Sequence, residues 1–218
     1  MIGVYNAEEY WNVRFKNEGE VWGKEQSLSA KLAAEVFKRY SVKTILAPGC
    51  GYGRNCLYFA KLGFSVTGID VSTTAIEIAK KNAEECNSNI KYIIGDVLQV
   101  LPTDKKYEGI FAHNLLHLFL ESDRMKLING LKGSLKKSGI LVVNVFSVND
   151  PSFGEGVQVE ENTFFESDGH CSHYFTKDEL LCYFNDLTSI TVREIEEMEE
   201  HGEKGLHKHK FLFGAFKK

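Results

Sequence analysis

The stretch Thr44 to Asn55, T-I-L-A-P-G-C-G-Y-G-R-N, sets three alternate glycines directly behind an apolar run, and no other part of the chain constrains the fold as strongly. Ile45 and Leu46 suit a strand covered on both faces. Gly49, Gly51 and Gly53 admit positive φ and remove the Cβ atoms that would hold a ligand off the main chain. Leu57, Phe59, Ala60 and Leu62 then read as a short helix whose N-terminal amides lie close to the same ligand. Phe64 to Ile69 reads as a second strand. Asp70 ends it about twenty residues beyond the loop, the separation a βαβ nucleotide site requires. A carboxylate there is placed to accept hydrogen bonds from vicinal hydroxyls, and a ribose fits.

The third glycine narrows the ligand. A dinucleotide fingerprint G-x-G-x-x-G counted from Gly49 needs glycine at position 54, where the chain has Arg54, and no frame from Gly51 or Gly53 restores it. This weakens a nicotinamide reading. Beyond the loop the order is alternating βα. A helix runs from Thr74 to about Cys86 behind a Ser72 or Thr73 cap, and strands are expected at Ile90 to Ile94, Tyr107 to His113 and Ile140 to Phe146. A helix near Ser122 to Lys136 separates the last two strands, and an amphipathic helix at Ser27 to Tyr40 precedes the first. Thr176-x-x-Glu179 is a capping box opening a helix through Tyr183. Ile190 to Met198 and Phe211 to Phe216 read as two closing strands joined by a charged loop.

The G-x-G-x-G loop, the acid ending the second strand and the pair Gly95-Asp96 after the third resemble the class I S-adenosylmethionine-dependent methyltransferases, over roughly residues 40 to 146. The resemblance implies an α/β, Rossmann-like fold. Its seven-stranded, mostly parallel sheet would carry an antiparallel C-terminal strand and helices on both faces. The implied cofactor is S-adenosylmethionine, with S-adenosylhomocysteine as product. Asp70 would hold the ribose and Asp96 the adenine amino group. The rest of the implied cofactor set is Trp22, Gly49, Cys50, Gly51, Arg54, Asn55, Val71, Ser72, Val97, His113, Asn114 and Leu115. Ala47 stands where the family usually carries an acid two residues before the first glycine, so the anchor for the cofactor's amino group is absent there or supplied elsewhere. Ala47-Pro48 resembles the thiopurine methyltransferase branch and G-R-N at Gly53 to Asn55 the tellurite-resistance branch. Both act on small, often soft nucleophiles such as thiols or chalcogen oxyanions.

Ligands of such sheets lie beyond the carboxyl ends of the strands, which nominates His113 as the residue nearest the chemistry and the catalytic candidate. For His113 a structural role weighs as much as a functional one. His117 is expected to pack under the following helix. On the acceptor side the candidates are Arg14, His117, Phe146, His173 and Tyr174. The first 26 residues, with Tyr10 to Phe15 and Glu20 to Gly23, resemble an arm that folds over the cofactor and excludes water. Trp11 and Trp22 there either face the sulfonium or anchor the arm. Residues 147–175 are the least regular part of the chain and are expected to form a substrate-side loop.

A length of 218 residues with no linker or repeat points to a single domain over 1–218. The net charge of −4, with scattered basic residues, gives no footprint for nucleic acid or anionic membrane. Five cysteines without framework spacing and no leader or long apolar run fit a reducing cytoplasm, as a monomer or homodimer. His201, His207 and His209 complete no recognised metal spacing and are read as a strand face or pocket rim. The run Glu194 to Glu200 is read as the exposed side of an edge strand, without chemistry. Transfer of a methyl group from a sulfonium asks mainly for alignment, which supplies up to about 7–11 kcal/mol of the barrier. A base is needed only for an acceptor that is protonated near neutral pH. A non-catalytic cofactor-binding regulator and, more weakly, an NAD-dependent oxidoreductase stay open.

Overall fold

A computed structural model describes residues 6–166, 169–200 and 205–218. The chain opens with two helices, α1 (Ala7–Glu18) and α2 (Leu28–Arg39), before strand β1 (Thr44–Pro48). Alternation follows through α3 (Arg54–Lys61), β2 (Ser65–Asp70), α4 (Thr73–Glu85), β3 (Lys91–Ile94), the single turn α5 (Val97–Val100) and β4 (Tyr107–His113). A 3-10 turn at Leu116–Leu118 leads into α6 (Glu121–Ser134) and the long β5 (Leu135–Phe146). Three short strands come next, β6 (Val157–Glu160), β7 (Thr163–Phe165) and β8 (Cys171–His173). The chain closes with α7 (Lys177–Tyr183), β9 (Thr188–Glu200) and β10 (Leu206–Lys217).

The main sheet has seven strands in the order β3-β2-β1-β4-β5-β10-β9. Pairing is parallel from β3 through β5, and β10 runs antiparallel to both of its neighbours. This is the Rossmann-like arrangement expected, with the last strand of the chain as its one reversed member. Leu46, Ile110, Leu141 and Val143 feed a core under α6 and α7 on one face. Ile45, Phe111, Val142 and Phe213 feed a second core under α2 and α3 on the other. Each of these strands is therefore apolar at successive positions, the pattern of a sheet buried on both sides.

Two regions differ from the expectation. The segment expected to be irregular contains a three-stranded antiparallel sheet, β6-β7-β8, which sits against the turn at Leu116–Leu118. Its strands are three or four residues long and carry Gly, Ser and Asp between them, so they have no period long enough to read. The arm contains a regular helix, α1, capped by Asn6, whose side chain accepts from Glu9 N–H at 3.3 Å. Its three aromatic residues, Tyr10, Trp11 and Phe15, make its ring contacts while Val13 is exposed, so it carries no continuous apolar stripe.

Candidate active site

The strand-to-helix turn behind β1 is built around Asp70. Its Oδ2 accepts the Gly51 amide at 2.7 Å and its Oδ1 the Ser72 amide at 2.9 Å. The carboxylate thus ties the glycine loop to the end of β2 and the start of α4. An ionised carboxylate offers about four acceptor sites, so these two contacts do not exhaust it. Burial pushes the Asp70 carboxyl above its usual range, against the pull of the Ser72, Gly51 and Val71 amides. All three loop glycines have positive φ, Gly51 at +54°, and two of them are also closely covered. Gly49 has φ +64° and a Cβ there would sit 2.7 Å from Leu115 Cδ1; Gly53 has φ +79° and a Cβ there would sit 2.5 Å from Tyr92 Oη. Asp96 caps α5, its Oδ1 accepting the Leu98 amide at 2.9 Å.

These groups share one cavity of about 1000 Å³. The glycine loop, Asp70, Val71, Asp96 and Val97 line one end, and His117, Phe146 and Tyr174 belong to the same cavity. Trp22, Arg54, Asn55, His113, Asn114, Leu115 and Arg14 also line it, as does the apolar Ala47. A volume of this size is at the upper end for ligand sites, with room for two small molecules side by side.

The arm is fastened to the glycine loop by name. Tyr52 Oη donates to Gly23 O at 2.8 Å and accepts the Trp22 amide at 3.1 Å. The Tyr52 ring stacks on Trp22 with centroids 6.1 Å apart. Arg54 donates to Trp22 O, and Asn12 Oδ1 accepts both Ser72 Oγ at 2.8 Å and the Thr74 amide at 3.1 Å. Trp11 and Trp22 both line the cavity, and the Arg14 guanidinium lies over both rings at 5.6 and 5.4 Å. Trp11 is thus part of the cavity wall and not only an anchor.

The expected residues do not all converge. Ser72 does not line the cavity; its Oγ accepts from Ala75 N–H as the cap of α4. His173 does not line it either. Its Nδ1 meets Thr163 Oγ1 at 2.7 Å and its Nε2 meets Glu179 Oε1 at 2.9 Å, so it joins β8 to β7 and to the capping box of α7. Neighbouring residues of an extended chain point to opposite faces, which turns Tyr174 to the cavity and His173 away from it.

His113 lines the cavity with its Nδ1 2.9 Å from Ser29 Oγ and its ring stacked on Phe111. Burial, with Arg54 and His117 nearby, holds its pKa well below the usual imidazole range, so the ring is neutral. His117 is buried, and burial together with the other imidazoles lowers its pKa to about 3. Among the described residues its Nδ1 has no hydrogen-bond partner. Cys171 donates to Leu118 O and burial raises its pKa to about 11, so it is a neutral thiol.

The acidic run on β9 needs correction. Glu197 and Glu199 are buried, not solvated. Glu197 Oε1 accepts the Leu28 amide at 2.5 Å at the start of α2, and Glu199 pairs with Arg54 at 3.3 Å and lines the cavity. β10 pairs with β5 only from Phe211 onward, while its pairing with β9 continues to Leu206. The outer part of the hairpin therefore extends past β5, with His207 and His209 opposite Glu199 and Glu197 and both histidines lining the cavity. Period-2 alternation in Glu194 to Glu200 was the available signal for the two inward glutamates. His201 lies outside the described residues.

Residues 45–139 match the methyltransferase domain family. The chain is 27% identical over 131 residues to a ubiquinone biosynthesis O-methyltransferase of Rickettsia akari (strain Hartford), covering 60% of this chain and 51% of that relative. It spans about half the length of the curated relatives it matches. Among solved structures it is similar to the Burkholderia thailandensis 1,6-didemethyltoxoflavin-N1-methyltransferase with bound 1,6-didemethyltoxoflavin and S-adenosylhomocysteine (TM-score 0.69, 18% identity, 99% of this chain and 91% of that one). It is also similar to TehB from Haemophilus influenzae (TM-score 0.67, 21% identity, 86% and 62%). At these identities the two structures establish the fold, which is that of the methyltransferases.

Proposed function

We propose that this chain, which carries a methyltransferase domain over residues 45–139, transfers a methyl group from S-adenosylmethionine to a small-molecule acceptor. The observation that carries the reading is the single cavity bounded by the glycine loop, Asp70 and Asp96 and continuing to His117, Phe146 and Tyr174. The open acceptor sites on Asp70 suit the two ribose hydroxyls, and Asp96 suits an adenine amino group. When bound, the cofactor supplies an activated methyl on a sulfonium. The protein's own part is to hold the acceptor in line and to exclude water, with Trp22 and the Tyr52-fastened arm as the cover.

A cavity closed over by an arm favours a small acceptor over a polymer. Resemblance to the thiopurine and tellurite-resistance branches supports a soft nucleophile, a thiol or chalcogen oxyanion. His113, neutral and bonded to Ser29, serves as a wall of the transfer site and not as a proton acceptor. Formation of S-adenosylhomocysteine from S-adenosylmethionine over a panel of thiols, phenols, amines, tellurite and selenite tests the reading. Turnover of one class supports it; binding of the cofactor without turnover on any class would favour the regulatory alternative that Ala47 leaves open.

A further inference from the structure

We propose that the acceptor is a protic nucleophile, an S–H or O–H compound and not an oxyanion, and that His209, oriented by Asp150, takes its proton. This rests on the methyl-transfer reading above. Asp150 follows the end of β5, and its side chain is fully enclosed. Its Oδ2 accepts from Lys210 N–H at 2.7 Å and from His209 Nδ1 at 3.1 Å; its Oδ1 accepts from Ser152 N–H at 2.9 Å and Ser152 Oγ at 2.5 Å. Burial opposes ionisation, but the His209 and Ser152 bonds and the Lys210 amide outweigh it and keep the carboxyl below its usual range.

An ionised carboxylate only accepts, so His209 Nδ1 must carry hydrogen and the neutral ring has its lone pair on Nε2. That ring lines the cavity at a centroid distance of 5.3 Å from Phe146, which touches His117 on another side at 4.5 Å. The groups around His209 are acidic: Asp150 by contact, Glu197 opposite it on β9, and Glu199 and Glu166. Burial alone would depress the imidazole, and the Asp150 bond with the charges of Asp150, Glu199 and Glu166 reverses that and raises it. An imidazole whose pKa is held up against burial suits proton abstraction in the neutral range. The other cavity imidazoles fit less well. His113 and His117 are held neutral far below that range, and His170 is placed between Glu166 at 3.3 Å and Tyr10 at 3.2 Å.

The charge of the wall excludes the competing acceptor class. Among the described residues, the lysines and arginines lining the cavity are Arg14, Arg54 and Lys208. Each already pairs with a glutamate, Glu18, Glu199 and Glu196 respectively. An oxyanion would meet Asp150, Glu155 and Glu166 in the same cavity, where the described lysines and arginines are already engaged by glutamates. A neutral S–H or O–H group meets no such repulsion. In the step, its proton passes to His209, its freed electron pair closes on the methyl carbon, and the carbon–sulfur pair of the sulfonium stays on sulfur. Atoms and charge then balance with no further reactant.

Rates of S-adenosylhomocysteine formation as a function of pH, with catechol, benzyl mercaptan and tellurite as acceptors, test the assignment in the full chain and in His209→Gln, Asp150→Asn and His170→Gln. Titration with S-adenosylhomocysteine is run on each protein. The expected result is turnover of a protic probe and none of tellurite. His209→Gln and Asp150→Asn should each lower kcat by about 10²–10⁴-fold with cofactor affinity unchanged. The deficit should close as pH rises through the acceptor's own ionisation, which a merely structural role would not produce. Cofactor binding together with tellurite turnover, with no turnover of either protic probe, or with a pH profile indifferent to His209→Gln overturns the proposal; so does a deficit that follows His170→Gln instead. Failure of the wild type to bind S-adenosylhomocysteine would instead overturn the methyl-transfer reading itself.

Discussion

Replacing Asp70 with Asn keeps the shape of the side chain and removes one acceptor. In the wild type the two carboxylate oxygens serve different amides, Gly51 at 2.7 Å and Ser72 at 2.9 Å. An asparagine can satisfy only one of them and turns an NH₂ group toward the other. A lost hydrogen bond to a charged group is worth about 1.5–3 kcal/mol. Against that, burial raises the Asp70 pKa, so the ionised side chain itself destabilises the folded state. The sign follows from linkage: the contribution of a raised carboxyl is full below its unfolded value of 3.8 and is lost as pH rises through the folded value. Neutral asparagine relieves that loss at pH 7. The two effects oppose, and the net change in stability should stay below about 2 kcal/mol. Cofactor affinity has no such compensation. Loss of one ribose hydroxyl bond at about 1.5–3 kcal/mol weakens S-adenosylhomocysteine about 10–150-fold. Calorimetric titration of Asp70→Asn and wild type, alongside urea unfolding, reads both quantities. A folded Asp70→Asn that binds within twofold of wild type would refute the ribose assignment.

Other expectations follow from single contacts. Tyr52→Phe leaves Gly23 O and the Trp22 amide without a partner, costing about 1–2 kcal/mol, and should speed S-adenosylhomocysteine dissociation in stopped-flow fluorescence of Trp22. Gly53→Ala puts a Cβ 2.5 Å from Tyr92 Oη at φ +79°, whereas Gly63→Ala at φ +87° meets open space. Both incur the backbone strain of about 1–2 kcal/mol, and only the first should lower Tm further and weaken the cofactor. His117, neutral until about pH 3, gives stability that is full above its unfolded value of 6.5 and is lost as pH falls toward 3. Urea unfolding at pH 7 and pH 5 should therefore show His117→Leu gaining about 2 kcal/mol relative to wild type over that interval.

The parallel half of the sheet was legible because its central strands are apolar at successive positions and Ser72 marks the start of α4, as Thr176 with Glu179 marks α7 further on. Asp70 was legible for the same reason, since its place depends only on the spacing of one βαβ unit. The part of the cavity built by β9, β10 and the residues after β5 was not. Glu197 and Glu199 look like solvated charges until the hairpin runs past β5 and turns them onto Arg54 and the start of α2. His209 looks like one of three scattered histidines until Asp150, 59 residues away, reaches it. His173 looks functional until Thr163 and Glu179 account for both ring nitrogens. Tertiary partners settle the role of each of these side chains.

The account stands most directly on which nucleotide the glycine loop accepts. Calorimetric titration of the purified protein with S-adenosylmethionine, S-adenosylhomocysteine and NAD in parallel measures that without knowledge of the acceptor. One-site binding of the first two and none of NAD is expected, in keeping with Arg54 in place of the third fingerprint glycine. Binding of NAD, or silence toward both sulfur nucleotides, would contradict it.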